Sequence, residues 1–184
     1  GADDFTPNSV LLILGGTGIV ALPQIIAHKD PLRMCGISVP RRKNLRSCTV
    51  DLIHSCREDD VLMQPQIKEL CKEGAIDSTR GLSSYTLLVT DGNATDNERA
   101  PFEPYVTSDN NIRGDYNTLL QGVPNCRIGK GQRIHKEIVS EALSKLTQPY
   151  RIIVSGPQTF NDAACKLLEE CGGVDPSTLT VLSA

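Results

Sequence analysis

Residues 11–19 read LLILGGTGI. Four apolar residues run straight into a glycine-rich turn, and apolar residues resume after it at Ile19, Val20, Leu22, Ile25 and Ile26. A short, unbroken apolar run suits a parallel strand buried on both faces. The apolar residues beyond the turn have helical spacing. Glycines give the turn backbone angles closed to other residues and let a ligand come close to the main chain. A helix that starts there offers N–H groups and a positive dipole end to a diphosphate. Pro23 falls in the first turn of that helix, where its missing N–H costs nothing. Taken alone, the turn also fits a strand-to-helix connection that binds nothing.

The same alternation continues outward. Strand-like runs are expected at residues 10–14 (VLLIL), 49–54 (TVDLIH), 85–90 (YTLLVT), 151–154 (RIIV) and 179–182. Helices are expected after residue 18, from Asp59 or Asp60 to about Glu73, over 134–146, and from Phe160 until Gly172 or Gly173 ends it as a left-handed cap. Between the third and fourth strands lies a polar stretch with Pro101, Pro104 and Pro124. It reads as a loop insertion over about 92–130. The predicted fold is α/β: one domain over 1–184, a three-layer sandwich with a five-stranded parallel sheet. Ligands on such sheets sit beyond the carboxyl ends of the strands, where the winding reverses. The loops that follow strands therefore carry the most weight: 15–18, 55–60, 91 onward and 155–160.

Composition narrows the function. The chain has 184 residues, a net charge of -3 and only 4% aromatic residues, with no Trp. A nucleic-acid binder is normally basic, and a site built on base stacking needs aromatics, so both classes are disfavoured. No apolar run is long enough to span a membrane, and no signal peptide is expected. The 7 cysteines include no CxxC pair, which argues against a zinc site, and no metal is expected. Reduced thiols point to a cytoplasmic or organelle-facing reducing compartment. The chain begins Gly1-Ala2-Asp3, without an initiator Met, and is expected to be a piece of a longer polypeptide.

Two common nucleotide motifs fit poorly. A short-chain dehydrogenase turn would place a third glycine where Ala21 stands. It would also end the second strand in an acid rather than His54-Ser55, and would place Lys four residues after a Tyr. Tyr85, Tyr105, Tyr116 and Tyr150 all fail that last test. A Walker loop needs Gly-Lys-Ser/Thr, which is missing.

A different pattern spans most of the chain. In order it contains residues 11–19 (LLILGGTGI), 59–70 (DDVLMQPQIKEL), 86–91 (TLLVTD), 131–134 (GQRI) and 153–173 (IVSGPQTFNDAACKLLEECGG). An early G-G-T-G-I turn followed by a late S-G-P turn resembles the NAD(P)-binding domain of the ferredoxin reductase superfamily, nearest to cytochrome b5 reductase-like flavoenzymes. Residues 36–46 and 95–130 are insertions against that pattern. The resemblance implies a domain that binds NADH or NADPH and presents the nicotinamide to FAD held by a separate domain of the same polypeptide. Electrons would pass on to a haem protein or another one-electron acceptor. It implies that Gly15, Gly16, Thr17 and Gly18 hold the diphosphate and nicotinamide side. It places Ser155 where relatives carry a Cys beside the nicotinamide, with Gly156 and Pro157 shaping that turn and Phe160 following. Thr17 and Ser155 are the candidates for the catalytic end of the site; Ser55 and Arg57 are candidate contacts after the second strand. NADP-preferring relatives carry Ser-Arg at the end of the third strand. Asp91 stands there instead, and a carboxylate repels the extra phosphate, so NADH is expected over NADPH.

Three features depart from the family pattern: Val20-Ala21 after the turn, Ser155 for the thiol, and a C-terminus without an aromatic residue. The first two, together with the long stretch 92–130, keep open an alternative, a nucleotide-fold module that acts in protein interaction without hydride transfer. Phe102, Tyr105 and Tyr116 of the long loop would then be its anchors. Other features have plain readings. The cluster Arg41-Arg42-Lys43 with Arg46 reads as a solvated loop. Arg57 fits either a cofactor contact or a surface ion pair. Cys165 and Cys171 read as small core residues, and Cys56 as the thiol nearest a ligand.

Overall fold

β1 (Ser9–Gly15) is buried at every position. Its side chains alternate between two cores. Val10, Leu12 and Leu14 face one of them; Leu11 and Ile13 face the other. Neither face meets water, which is why residues 10–14 include nothing polar. In the computed structural model, which describes residues 7–29, 48–90 and 116–183, this strand lies inside a six-stranded sheet. The other strands are β2 (Thr49–Arg57), β3 (Ser84–Thr90), β4 (Cys126–Lys130), β5 (Tyr150–Gly156) and β6 (Leu179–Ser183). Their order is β4-β3-β2-β1-β5-β6, and every neighbouring pair is parallel.

Helices cover both faces. α1 (Leu22–Lys29), α2 (Gln64–Ile76) and α3 (Tyr116–Leu120) bury Leu22, Ile26, Ile67, Cys71, Tyr116 and Leu120 in the first core. α4 (Lys136–Ser144) and α5 (Gln158–Cys171) bury Val139, Ala142, Ala164 and Leu168 in the second. The α/β three-layer class is as expected. The strand number is not, since the sheet has six strands where five were expected.

The extra strand is β4, inside the stretch expected as a loop. Residues 116–130 form α3 and β4 and close one edge of the sheet. Asn125 ties this edge down: its side-chain amide donates to the carbonyls of Cys71, Leu82 and Ser83 at 2.9, 3.0 and 3.2 Å. Gly129 leaves the space that Leu88 of β3 needs, because a Cβ there would come within 2.9 Å of the Leu88 side chain. Tyr116 is 5% exposed and part of the core, so it is no surface anchor. Phe102, Tyr105 and the basic cluster at 41–46 lie outside the described residues.

Other expectations shift in detail. Asp59 and Asp60 do not cap a helix but belong to a short 3-10 turn, Glu58–Asp60. Pro65, in the first turn of α2, sets the helix start further on, after Met63 in a left-handed conformation at φ 62. α5 ends at Gly172 as expected, yet with φ 70 and ψ 164, an extended glycine conformation rather than a left-handed cap. Cys171 packs against the second core; Cys165 is half-buried and lies outside it.

α2 lies so close to the start of β3 that a Cβ on Gly74 would overlap the Leu82 carbonyl oxygen. Gly74→Ala should therefore cost about 1–3 kcal/mol through overpacking. Ile76→Ala, two residues on at a side chain that is 89% exposed, should change stability by no more than about 0.5 kcal/mol. Urea denaturation of the two variants checks the contrast.

Candidate functional site

From β1 the chain steps outward through β2 and β3 to β4, then crosses back to place β5 on the other side of β1. The winding reverses between β1 and β5, where Leu14 pairs with Ser155. Both glycine turns leave the sheet there. Their backbones touch: a Cβ on Gly18 would overlap the Ser155 carbonyl oxygen, and one on Gly156 would lie 3.0 Å from the Gly15 carbonyl. The Phe160 ring packs over both strands, filling the space a side chain on Gly15 or Gly156 would take.

Three of these glycines are thus required by the packing of the fold itself. Gly16 differs. Its φ is +51, and a Cβ placed on it would find its nearest neighbour, Pro157 Cδ, at 3.9 Å. A side chain there would make only ordinary van der Waals contact, and Thr17 beside it and Pro157 across from it are exposed. Residues Gly16–Ala21 form a 3-10 helix, and α1 continues from Leu22, so Pro23 does fall in the first turn of the α-helix.

The structure brings Gly15, Gly16, Thr17, Gly18, Ser155, Gly156, Pro157 and Phe160 together at this reversal. Ser155 is buried, 3% exposed, with its carbonyl against Gly18. Ser55 lies within β2 rather than in a loop, opposite Gly15 in the register. β2 runs on to Arg57 because β3 keeps pairing with it as far as Thr90. Arg57 is exposed and forms a 3.5 Å ion pair with Asp59. Asp91, which follows β3 in sequence, lies outside the described residues. Cys56 is buried, and burial foremost pushes its thiol up to about 12, so it is not a reactive thiolate. Among the described residues, no cluster of His, Cys, Asp or Glu could hold a metal ion.

One polar group under the turn is not visible as a motif. His54 of β2 is fully buried, and its Nδ1 lies 3.1 Å from the Tyr85 hydroxyl of β3. Gln64, in the first turn of α2, donates to the same hydroxyl at 3.3 Å. Burial lowers the His54 pKa to about 4, an effect slightly offset by the Gly16 carbonyl, so the ring is neutral. The sequence marks His54 as near the crevice but does not link it to Tyr85 or Gln64.

No family model matches the sequence, and no curated protein matches it. Solved structures do share its fold. One is the cytochrome b5 reductase domain of Ulva prolifera nitrate reductase, with a TM-score of 0.58 and 16% identity over 97% of this chain and 49% of that one. Another is the structure of the CS-b5R domains of human Ncb5or in its NAD+ form, at 0.57 and 16% over 95% of this chain and 36% of that one. A ferredoxin NADP+ reductase from Neisseria gonorrhoeae, with bound FAD and NADP, matches at 0.52 and 14% over 96% and 56%. The chain therefore spans between 36% and 56% of the length of these three structures. Its fold is ferredoxin reductase-like.

The buried imidazole makes stability depend on pH. The folded state holds His54 at about 4, below its ordinary 6.5, so on acidification the unfolded chain takes the proton first. The contribution is fully present above pH 6.5 and is lost as pH falls toward 4, by at most about 3 kcal/mol. His54→Gln, which cannot titrate, should flatten that part of the curve. Urea midpoints of both proteins at pH 7 and pH 4.5 measure the difference, and parallel curves would contradict it.

Proposed function

We propose that this chain is the pyridine-nucleotide-binding domain of a flavin-dependent oxidoreductase of the cytochrome b5 reductase type. One observation carries the reading: the two glycine turns meet where the winding reverses, with Gly16 free of tight packing and Thr17 exposed. The residues there suit a dinucleotide. Gly15, Gly16, Thr17 and Gly18 would face its diphosphate and the nicotinamide side, and Gly156-Pro157 would let the ring approach the main chain. Ser155 offers a hydroxyl where related reductases have a thiol, and Phe160 buttresses both turns from below. Ser55 and Arg57 extend the site along the end of β2.

When bound, the nucleotide would supply a hydride to FAD, carried by another domain of the same polypeptide. This chain's part is to bind, orient and shield. Onward transfer would go to a haem protein or another one-electron acceptor. NADH is preferred over NADPH, because Asp91, the next residue in the sequence after β3, would repel a 2′-phosphate and accept hydrogen bonds from ribose hydroxyls. The free thiols of the described cysteines suit a cytoplasmic or organelle-facing reducing compartment.

Calorimetric titration tests the reading. NADH should bind weakly, since part of the site would belong to the flavin domain, and NADPH more weakly still. Gly18→Val is a poor probe, because it would push the turn away from β5 whether or not a ligand binds. Gly16→Val adds a side chain where nothing packs tightly and opposes the positive φ, so it should weaken NADH binding by about ten-fold or more in a protein that still folds. No binding at millimolar nucleotide would favour the interaction module instead. An NADPH affinity equal to that for NADH would remove the role given to Asp91. One equivalent of FAD bound to this chain alone would contradict the two-domain arrangement.

A further inference from the structure

The segment 116–130 does more than close one edge of the sheet. Tyr116 opens α3 with its ring in the first core, and its hydroxyl donates to Glu58 Oε1 at 3.3 Å. Lys130, at the end of β4, holds its ammonium 5.9 Å from the centre of the same ring. Glu58 is half-buried and begins the 3-10 turn that leaves β2. A helix and a strand from the stretch expected as a loop thus meet the connection that follows β2. That turn carries three carboxylates in a row, Glu58, Asp59 and Asp60. It lies at the carboxyl end of the sheet, where a dinucleotide would bring two negative phosphates of its own. The direction in which those carboxylates point therefore matters to a ligand there.

The alternation of β2 gives the Glu58 contact a consequence. Leu52 and Cys56 face the first core and Ile53 the second, so Ser55 and Arg57 stand on the second face. Arg57 pairs in register with Thr90 of β3. Tyr116 lies on the opposite face, in the first core. Its hydroxyl draws Glu58 to that face directly after Arg57, which fixes where the chain leaves the strand and which side Arg57 takes. The ion pair of Arg57 with Asp59 joins two side chains that are 67% and 51% exposed. Such a pair is weak, so a ligand phosphate can compete for the guanidinium. The strands run in the order β2-β1-β5. A nicotinamide at residues 155–157 and a diphosphate over 15–18 then leave the adenosine half of a dinucleotide at the end of β2. We propose that Tyr116 is a positioning residue for that half: its hydroxyl holds Glu58 on the first face, which parts that carboxylate from Arg57 and leaves the guanidinium to the ligand. The ligand role, though not the Tyr116–Glu58 bond, rests on the nucleotide reading above.

Calorimetric titration with ADP-ribose, which lacks the nicotinamide, reads this half alone. Glu58→Gln and Glu58→Ala both remove the charge, but only Glu58→Gln keeps an acceptor for the Tyr116 hydroxyl. Tyr116→Phe removes the hydroxyl and keeps the ring. It should weaken ADP-ribose binding about five-fold in the wild-type chain and in Glu58→Gln, and by less than about two-fold in Glu58→Ala. A role in packing alone would move all three backgrounds alike. An equal loss in the three backgrounds, or no loss in the wild-type chain, would overturn the proposal. Should Tyr116→Phe fail to fold, the two Glu58 variants decide: Glu58→Ala should bind ADP-ribose about five-fold more weakly than Glu58→Gln, and equal affinities would overturn it. If the wild-type chain binds neither ADP-ribose nor NADH, the function proposed above falls and the ligand role with it. Backbone amide exchange over Glu58–Asp60 then decides the bond: Tyr116→Phe should speed it about five-fold, and unchanged exchange would show that the hydroxyl holds nothing.

Discussion

At the centre of this molecule the main chain of the turn after β1 comes closer to the end of β5 than any side chain would allow. The Ser155 carbonyl sits where a Gly18 side chain would stand, and the Phe160 ring takes the space beside Gly15 and Gly156. Much else depends on that approach. It holds the two turns side by side at the carboxyl ends of β1 and β5. It brings the first turn of α5 over the end of β1. At Gly16, by contrast, a side chain would make only ordinary contact with Pro157. A site made this way needs few large side chains, which agrees with a chain that is only 4% aromatic.

The first core holds a buried polar layer as well as apolar side chains. His54, Tyr85 and Gln64 come from β2, β3 and α2, and they meet between the sheet and the helices that cover its first face. Burying such groups is costly unless each finds a partner. The cost is offset where donors and acceptors form a continuous chain, and such a chain also specifies one arrangement of the elements that bear it. Burial keeps the imidazole neutral, so the layer adds no charge of its own.

Much of the architecture can be read along the chain. β1, β2, β3 and β5 are interior strands, flanked on both sides and covered on both faces, so their apolar runs stand out. β6 is an edge strand, short and partly exposed, yet its position after the clear helix of α5 marks it. β4 is the opposite case. It is an edge strand whose five residues, CRIGK, include an exposed Arg127 and a glycine trimmed for Leu88. Nothing in that segment has the periodicity of a strand, and the prolines and asparagines before it suggest a loop. Its place in the sheet comes from pairing with β3 and from the three carbonyls gathered by Asn125.

For the site, the division is similar. Glycine turns after apolar strands are local patterns, so Gly15, Gly16, Thr17, Gly18, Gly156 and Pro157 could be singled out from the amino-acid order, together with the α/β class that makes such turns meaningful. Their separate duties could not. Whether a glycine serves packing, a positive φ or an open approach depends on which atoms of distant segments lie beside it, and those segments are brought together only by the crossing from β4 back to β5. The same holds for His54, 31 residues from Tyr85, and for Gln64, 21 residues from it. Hydrogen bonds between strands and helices leave no spacing in the sequence. They exist because parallel pairing in one register, with helices laid over the sheet, sets three otherwise unrelated side chains within reach of one another.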